Sequence, residues 1–220
     1  GFYFMQNTGN TALKRMIFSD LLLTKSQGHR LAYMAVMAAL SVVANMWLEF
    51  RLLDIQFSIT IVVSALTGIL LGPVSGFAVC YIGDLCGYFY NNWGQLYMPW
   101  VGLSTGMIAL LAGLIFNLFR PNFRGSLYIK LSLVCLLSLF VCTIGINTTG
   151  FYFYWQKVGF TSKFIQYVTD TFGTGATYWR YVCYRLFFGG QIWNCIANYA
   201  LLFAVVPILN HIKPLKIRIS

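Results

Sequence analysis

From residue 58 to residue 90 the chain reads SITIVVSALTGILLGPVSGFAVCYIGDLCGYFY, two apolar runs broken by Gly72-Pro73 and carrying one charged residue, Asp84. Pro73 has no N–H to donate and its ring obstructs the preceding turn, so one helix ends there and another begins. So tight a connection lays the two helices antiparallel. Neither run alternates with a charged face, and the pair reads as a hairpin of membrane helices over 58–71 and 74–90.

The rest of the chain repeats this pattern. Further apolar runs over 31–48, 97–118, 127–146 and 178–209 bring the expected count to six spans, which at about 20 residues each leave only short connections. Composition agrees: 59% of the 220 residues are hydrophobic and 9% are charged, where a water-soluble domain carries about a quarter charged. The expected fold class is an all-α membrane protein with six transmembrane helices and both termini cytoplasmic. Residues 1–25 read as a cytoplasmic N-terminal tail and 26–220 as one substrate-binding transmembrane domain. Lys14, Arg15, Asp20 and Lys25 precede any long apolar run, which argues against a cleaved leader.

Charge sets the orientation. Lys14, Arg15, Lys25, Arg30, Arg120, Arg124, Lys130, Lys213, Lys216 and Arg218 fall on the inside of this topology. Arg51, Lys157, Lys163, Arg180 and Arg185 fall outside or near the outer ends, a two-to-one bias in the expected sense. The net charge of +10 is spaced between apolar runs rather than laid in a stripe with interleaved aromatics, so it points to topology and anionic lipid, not to nucleic acid. The six cysteines sit mostly inside apolar segments without ligand spacing and read as small buried hydrophobes, favouring neither disulfides nor a metal site.

Polar residues inside apolar runs are the functional candidates. Asp84 lies at membrane depth, where a carboxylate is costly and needs a partner; structural pairing with Arg185 and a place in a ligand cavity both answer that need. Arg180 and Arg185 open the last span, and a guanidinium fork suits a carboxylate. Gln191, Asn194 and Asn198 follow at spacings of three and four, an amide stripe that must face protein or a wet cavity. Trp47, Trp93, Trp100, Trp155, Trp179 and Trp193 fit an interfacial belt, or a site that stacks a flat ring. Ala35 and Ala39 form a small-xxx-small pair, suited to packing within the chain or to a close approach by another subunit. No phosphate-cradling Gly-x-x-x-x-Gly-Lys-Ser/Thr is present, and His29 and His211 stand at opposite ends, so the chain is expected to be no enzyme and to hold no cofactor or metal.

Residues 66–76, LTGILLGPVSG, followed by Gly83-Asp84-Leu85-Cys86-Gly87, resemble the second and third helices of S components of energy-coupling factor (ECF) vitamin transporters. Ala35 and Ala39 are similar to the alanine motif with which the first helix of that family meets its coupling subunit. Ile146-Asn147-Thr148 and Tyr184-Arg185-Leu186 resemble the folate subgroup, although Phe187-Phe188-Gly189-Gly190 stands where a basic residue is usual. The resemblance implies a vitamin-capturing subunit in a prokaryotic cell membrane, with a transmembrane coupling subunit and two cytoplasmic ATPases as partners. The vitamin expected is folate, with cobalamin as the bulkier alternative. An autonomous ion-coupled carrier and a purely structural membrane protein are the readings from other classes. The expected folate site stacks a ring on Trp93, Tyr97 and Trp100, fixes it with polar groups of Asp84, Gln95 and Asn147, and meets its carboxylates with Arg180 or Arg185, with Gln191 a further substrate-binding candidate.

Overall fold

The computed structural model describes residues 14–46, 49–52, 55–90, 96–119 and 125–211. Trp47, Trp93, Gln95, Arg120, Arg124, Lys213, Lys216 and Arg218 lie outside the described residues. The elements are, in order, α1 (Asp20–Leu23), α2 (Gln27–Met46), β1 (Glu49–Leu52), β2 (Ile55–Ser58), α3 (Thr60–Leu71), α4 (Pro73–Tyr90), α5 (Pro99–Leu118), α6 (Ser126–Val158), α7 (Ser162–Phe172), α8 (Tyr178–Cys183) and α9 (Gln191–His211).

This is an all-α membrane protein with one small β-hairpin. Helices α2, α5, α6 and α9 are long and apolar enough to cross a bilayer, and α3 is apolar but shorter. The bundle has the polarity of a membrane protein. Leu31, Val36, Phe140, Ile196 and Ile208 face outward, while Ser41, Ser64, Thr67, Ser104, Thr105 and Asn198 are buried.

The α3/α4 hairpin forms where Gly72-Pro73 requires it, with Gly72 at φ 106° and Pro73 opening α4. Its packing against α5 depends on missing side chains. A Cβ on Gly68 would lie 1.9 Å from the Ala109 carbonyl oxygen, and one on Gly113 would lie 2.6 Å from the Pro73 nitrogen. Small residues let the three backbones approach this closely, which apolar lipid favours over bulky side-chain packing. The N-terminal segment docks on the same turn. Ser19 N–H donates to Leu71 O at 2.8 Å, the Ser75 hydroxyl donates to Ile17 O at 2.8 Å, and Leu22 is fully buried. Lys130, counted above among the flanking charges, is 1% exposed, with Nζ 5.6 Å from the centre of the Phe116 ring.

Three expected boundaries differ. The polar segment after the first span forms the strand β1, paired antiparallel with β2 in the register Glu49↔Ser58 to Leu52↔Ile55. Residues 147–177, between the expected spans 127–146 and 178–209, are largely helical: α6 continues through Asn147 to Val158, capped by Gly159 at φ 109°, and α7 then follows. Asn147-Thr148-Thr149-Gly150 has a loop-like composition, yet it stays helical with Trp100 packed against Gly150, and the Thr148 and Thr149 hydroxyls donate back to Thr143 O (2.8 Å) and Ile144 O (3.2 Å). Residues Ser138–Thr148 form a wider, π-helical stretch in the middle of α6. Finally, 178–209 is not one helix. Cys183 runs into a second π turn, Tyr184–Phe188, and Gly190 at φ 70° separates it from α9.

Candidate functional site: a polar cavity at the hairpin end

Helix α3 has 12 residues, about 18 Å of rise, well short of the roughly 30 Å hydrocarbon core. Its first turn therefore leaves backbone N–H groups inside the bundle, where they need partners. The amide stripe on α9 supplies them. Asn194 Oδ1 accepts from Ser58 N–H at 2.9 Å and Asn198 Oδ1 from Val62 N–H at 3.2 Å. Asn198 Nδ2 donates to Ser58 O at 2.6 Å and to Asn194 O at 2.8 Å. Two of the three amides are thus latches between α9 and the β2–α3 junction.

The space left beyond the short helix is a cavity of about 210 Å³ that opens to the surface. Its polar lining comes from most of the bundle, α4 excepted: Asn45 from α2, Ser58 and Thr60 at the β2–α3 junction, Ser104 and Thr105 from α5, Thr143 and Asn147 from α6, Arg185 from the second π turn, and Gln191 and Asn194 from α9, with Ile61, Val101, Ile108 and Phe151 as apolar walls. The π stretch of α6 carries both Thr143 and Asn147. A second cavity, lined by Trp155, Thr161, Tyr181 and Tyr184, shares Phe151, Arg185 and Gln191 with the first.

Arg185 is the charge of this site. Its guanidinium carbon sits 4.3 Å from the centre of the Phe151 ring, a cation–π contact. Burial pulls its pKa below the ordinary value and Tyr181 and Tyr184 push it back up; an arginine keeps its proton under such opposed influences. Two amide atoms in the lining, Asn45 Nδ2 and Asn147 Oδ1, are buried without a hydrogen-bond partner among the described residues, as is Trp100 Nε1 close by. Buried polar atoms are normally paired, so these orphaned amides and the arginine mark the walls of this cavity as polar.

Of the residues expected to form the site, Asn147, Arg185 and Gln191 come together here. Trp100 adjoins it, packed 5.8 Å from Phe151 and 6.0 Å from Tyr154 between ring centres. The others lie elsewhere. Arg180 donates to the carbonyls of Thr174 and Gly175 and covers the Phe172 ring at 4.8 Å, so it pins the 173–177 loop instead of joining Arg185 in a clamp. Asp84 and Tyr97 share a different spot: a Cβ on Gly102 would be 2.8 Å from Asp84 Oδ2 and 2.9 Å from Tyr97 Oη. Tyr97 packs on Tyr88 there, ring centres 5.0 Å apart. Trp93 and Gln95 lie outside the described residues. Ala35 and Ala39 face out from α2, away from the cavity.

Asn45, Ser58, Thr60, Ser104, Thr105, Thr143 and Phe151 had no signal in the sequence. Each is one common residue on its own helix, and only the packing brings them to one space. Over them, α7 buries Phe164 and Val168 among Phe160, Tyr181 and Tyr184, with Phe164 and Tyr181 ring centres 5.1 Å apart.

An apolar multi-pass bundle around an open, partly polar cavity fits a membrane protein that binds a small molecule. Residues 25–179, more than two thirds of the chain, match the family of the ECF-type riboflavin transporter, S component, and the chain belongs to that family. No curated protein matches the chain.

Proposed function

We propose that this chain captures a flat heteroaromatic vitamin as the S component of an ATP-driven ECF importer in a prokaryotic cell membrane. The observation that carries this is the cavity: Asn45 Nδ2 and Asn147 Oδ1 unpaired in its lining, with Arg185 held on the Phe151 face. A flat ring with polar edges suits these polar walls and stacks against an aromatic one. In this reading α2, α3, α4, α5, α6 and α9 make six crossings, the termini are cytoplasmic, and the hairpin end opens outward.

Riboflavin is the first candidate, in keeping with the family's description. Folate is the second, favoured by Arg185, whose buried cation suits a carboxylate that riboflavin lacks. Asp84, Tyr97 and Arg180 take supporting roles around the site rather than contacts with the ring.

The chain itself binds and does not hydrolyse ATP. The outward Ala35/Ala39 face of α2 meets a coupling subunit, and two ATPases drive release. The test is vitamin uptake into liposomes carrying the chain with and without a coupling subunit and its ATPases. Uptake that requires them and ATP supports this account; uptake by the chain alone, driven by an ion gradient, marks an autonomous carrier instead.

A further inference from the structure

Helix α7 is amphipathic, and packing accounts for only part of its surface. Phe164 and Val168, four residues apart, are buried. Lys163, Gln166, Tyr167, Asp170 and Thr171 are related by spacings of three and four, so they share the neighbouring stripe. That stripe walls an open cleft of about 820 Å³, whose other wall is Tyr184, Phe188 and Gly189. Tyr184 and Phe188 lie nearly parallel, ring centres 5.4 Å apart at 22°, and Tyr167 packs on them at 5.4 and 5.6 Å. Phe188 nonetheless keeps 61% of its surface exposed. It belongs to the Phe187-Phe188-Gly189-Gly190 stretch that departs from the folate pattern.

The cleft does not stand alone. It shares Tyr184 and Gly189 with the second cavity, which in turn shares Phe151, Arg185 and Gln191 with the bundle cavity. Three spaces therefore adjoin in a row from the surface of α7 to the polar interior, and an aromatic ring borders each of them. Lys163 and Asp170 put one charge of each sign on the outer stripe, which suits a ring with polar edges better than a bare anion or cation.

Resting on the functional reading above, we propose that the cleft between α7 and Phe188 is an outer capture site for the same vitamin: its flat ring stacks on Phe188 and Tyr167 first, then passes Tyr184 into the inner cavities. Continuity selects the vitamin over other occupants, because a ligand in the cleft is one shared wall away from the second cavity. Stacking in an open cleft is weak, so this site sets the route and rate of entry while the affinity is set inside.

The test is stopped-flow binding of riboflavin, or of folate if folate is what binds, to the full chain in detergent. The observed rate is expected to level off as vitamin concentration rises, because the cleft fills before the inward step. Phe188→Ala raises the half-saturating concentration about 3- to 10-fold, the worth of one lost stacking partner, and leaves the equilibrium dissociation constant within about twofold. Phe187→Ala changes neither, since Phe187 lines none of the three spaces. Phe188→Leu keeps an apolar side chain without a ring face and shifts as the alanine variant does, which covers failure of that variant to fold. A rate that stays linear in vitamin, or a half-saturating concentration that the Phe188 variants leave unchanged, overturns the capture site; a phospholipid that co-purifies and is lost in Phe188→Ala would then mark the cleft as a lipid seat. An equal loss of equilibrium affinity in Phe188→Ala also overturns it, because Phe188 would then act on the final complex. Failure of the unsubstituted protein to bind either vitamin sinks the functional reading itself, whereas tight binding with unshifted kinetics sinks the capture site alone.

Discussion

The guanidinium of Arg185 lies over the Phe151 ring, 4.3 Å from guanidinium carbon to ring centre, and this contact joins α6 to the segment between α8 and α9 at the cavity wall. The ring holds the cation at the wall without neutralising it, and Tyr181 takes a side-chain hydrogen bond from it, so the positive charge stays on the cavity wall. Replacing Arg185 by Gln is therefore expected to weaken binding of a carboxylate-bearing vitamin such as folate by about 10- to 100-fold, the worth of a charge-assisted hydrogen bond. Riboflavin affinity falls less. Calorimetric titration of both ligands checks this, and equal losses for the two would contradict a carboxylate role.

Arg180 gives the complementary prediction. Its bonds go to Thr174 and Gly175 carbonyls and its plane to Phe172, so Arg180→Ala leaves equilibrium affinity within about twofold while freeing the 173–177 loop. Limited proteolysis of that loop should quicken. A loss in affinity as large as that of Arg185→Gln would restore the two-arginine clamp.

Asn198 tests the latch on the short helix. Asn198→Leu orphans the Val62 N–H and the Ser58 carbonyl, each costing about 1–3 kcal/mol when buried. The thermal midpoint in detergent should fall clearly, more than for Ser138→Ala, which removes a hydroxyl pair with Tyr199 at 2.7 Å. An unchanged midpoint for Asn198→Leu would mean the latch carries no stability.

The α3–α5 contact has a sharper test. Gly68→Ala places a Cβ 1.9 Å from Ala109 O, whereas Gly28→Ala on α2 meets nothing within 4 Å. Overpacking of the first kind costs about 1–3 kcal/mol or more, and the second is neutral to slightly stabilising because alanine favours helix over glycine by about 1 kcal/mol. Thermal melts of the two variants should separate in that order.

The membrane class and the α3/α4 turn were legible from residues 58–90 because Gly72-Pro73 acts locally and apolar runs need no partner to be recognised. Asn147, Arg185 and Gln191 were legible for a similar reason: a polar side chain in an apolar setting stands out whatever surrounds it. The cavity's other lining was not. Ser104 and Thr105 look like any small residues of a membrane helix, and Asn45 becomes informative only when Thr60 takes its carbonyl. Arg180 and Asp84 stand out in the sequence just as clearly, but they lie apart from this lining, Arg180 on the 173–177 loop and Asp84 beside Gly102 and Tyr97. The continuation of α6 through Asn147-Thr148-Thr149-Gly150 was hidden because its support is tertiary. Trp100 fills the space over Gly150, where a Cβ would lie 2.3 Å from its ring, and that contact cannot be read from either residue alone.

Equilibrium binding of riboflavin and of folate to the purified, detergent-solubilised chain tests the central claim most directly. Saturable one-to-one binding of either vitamin, weakened by Arg185→Gln, is the predicted result. No binding of either vitamin at millimolar concentration by a folded protein would contradict it.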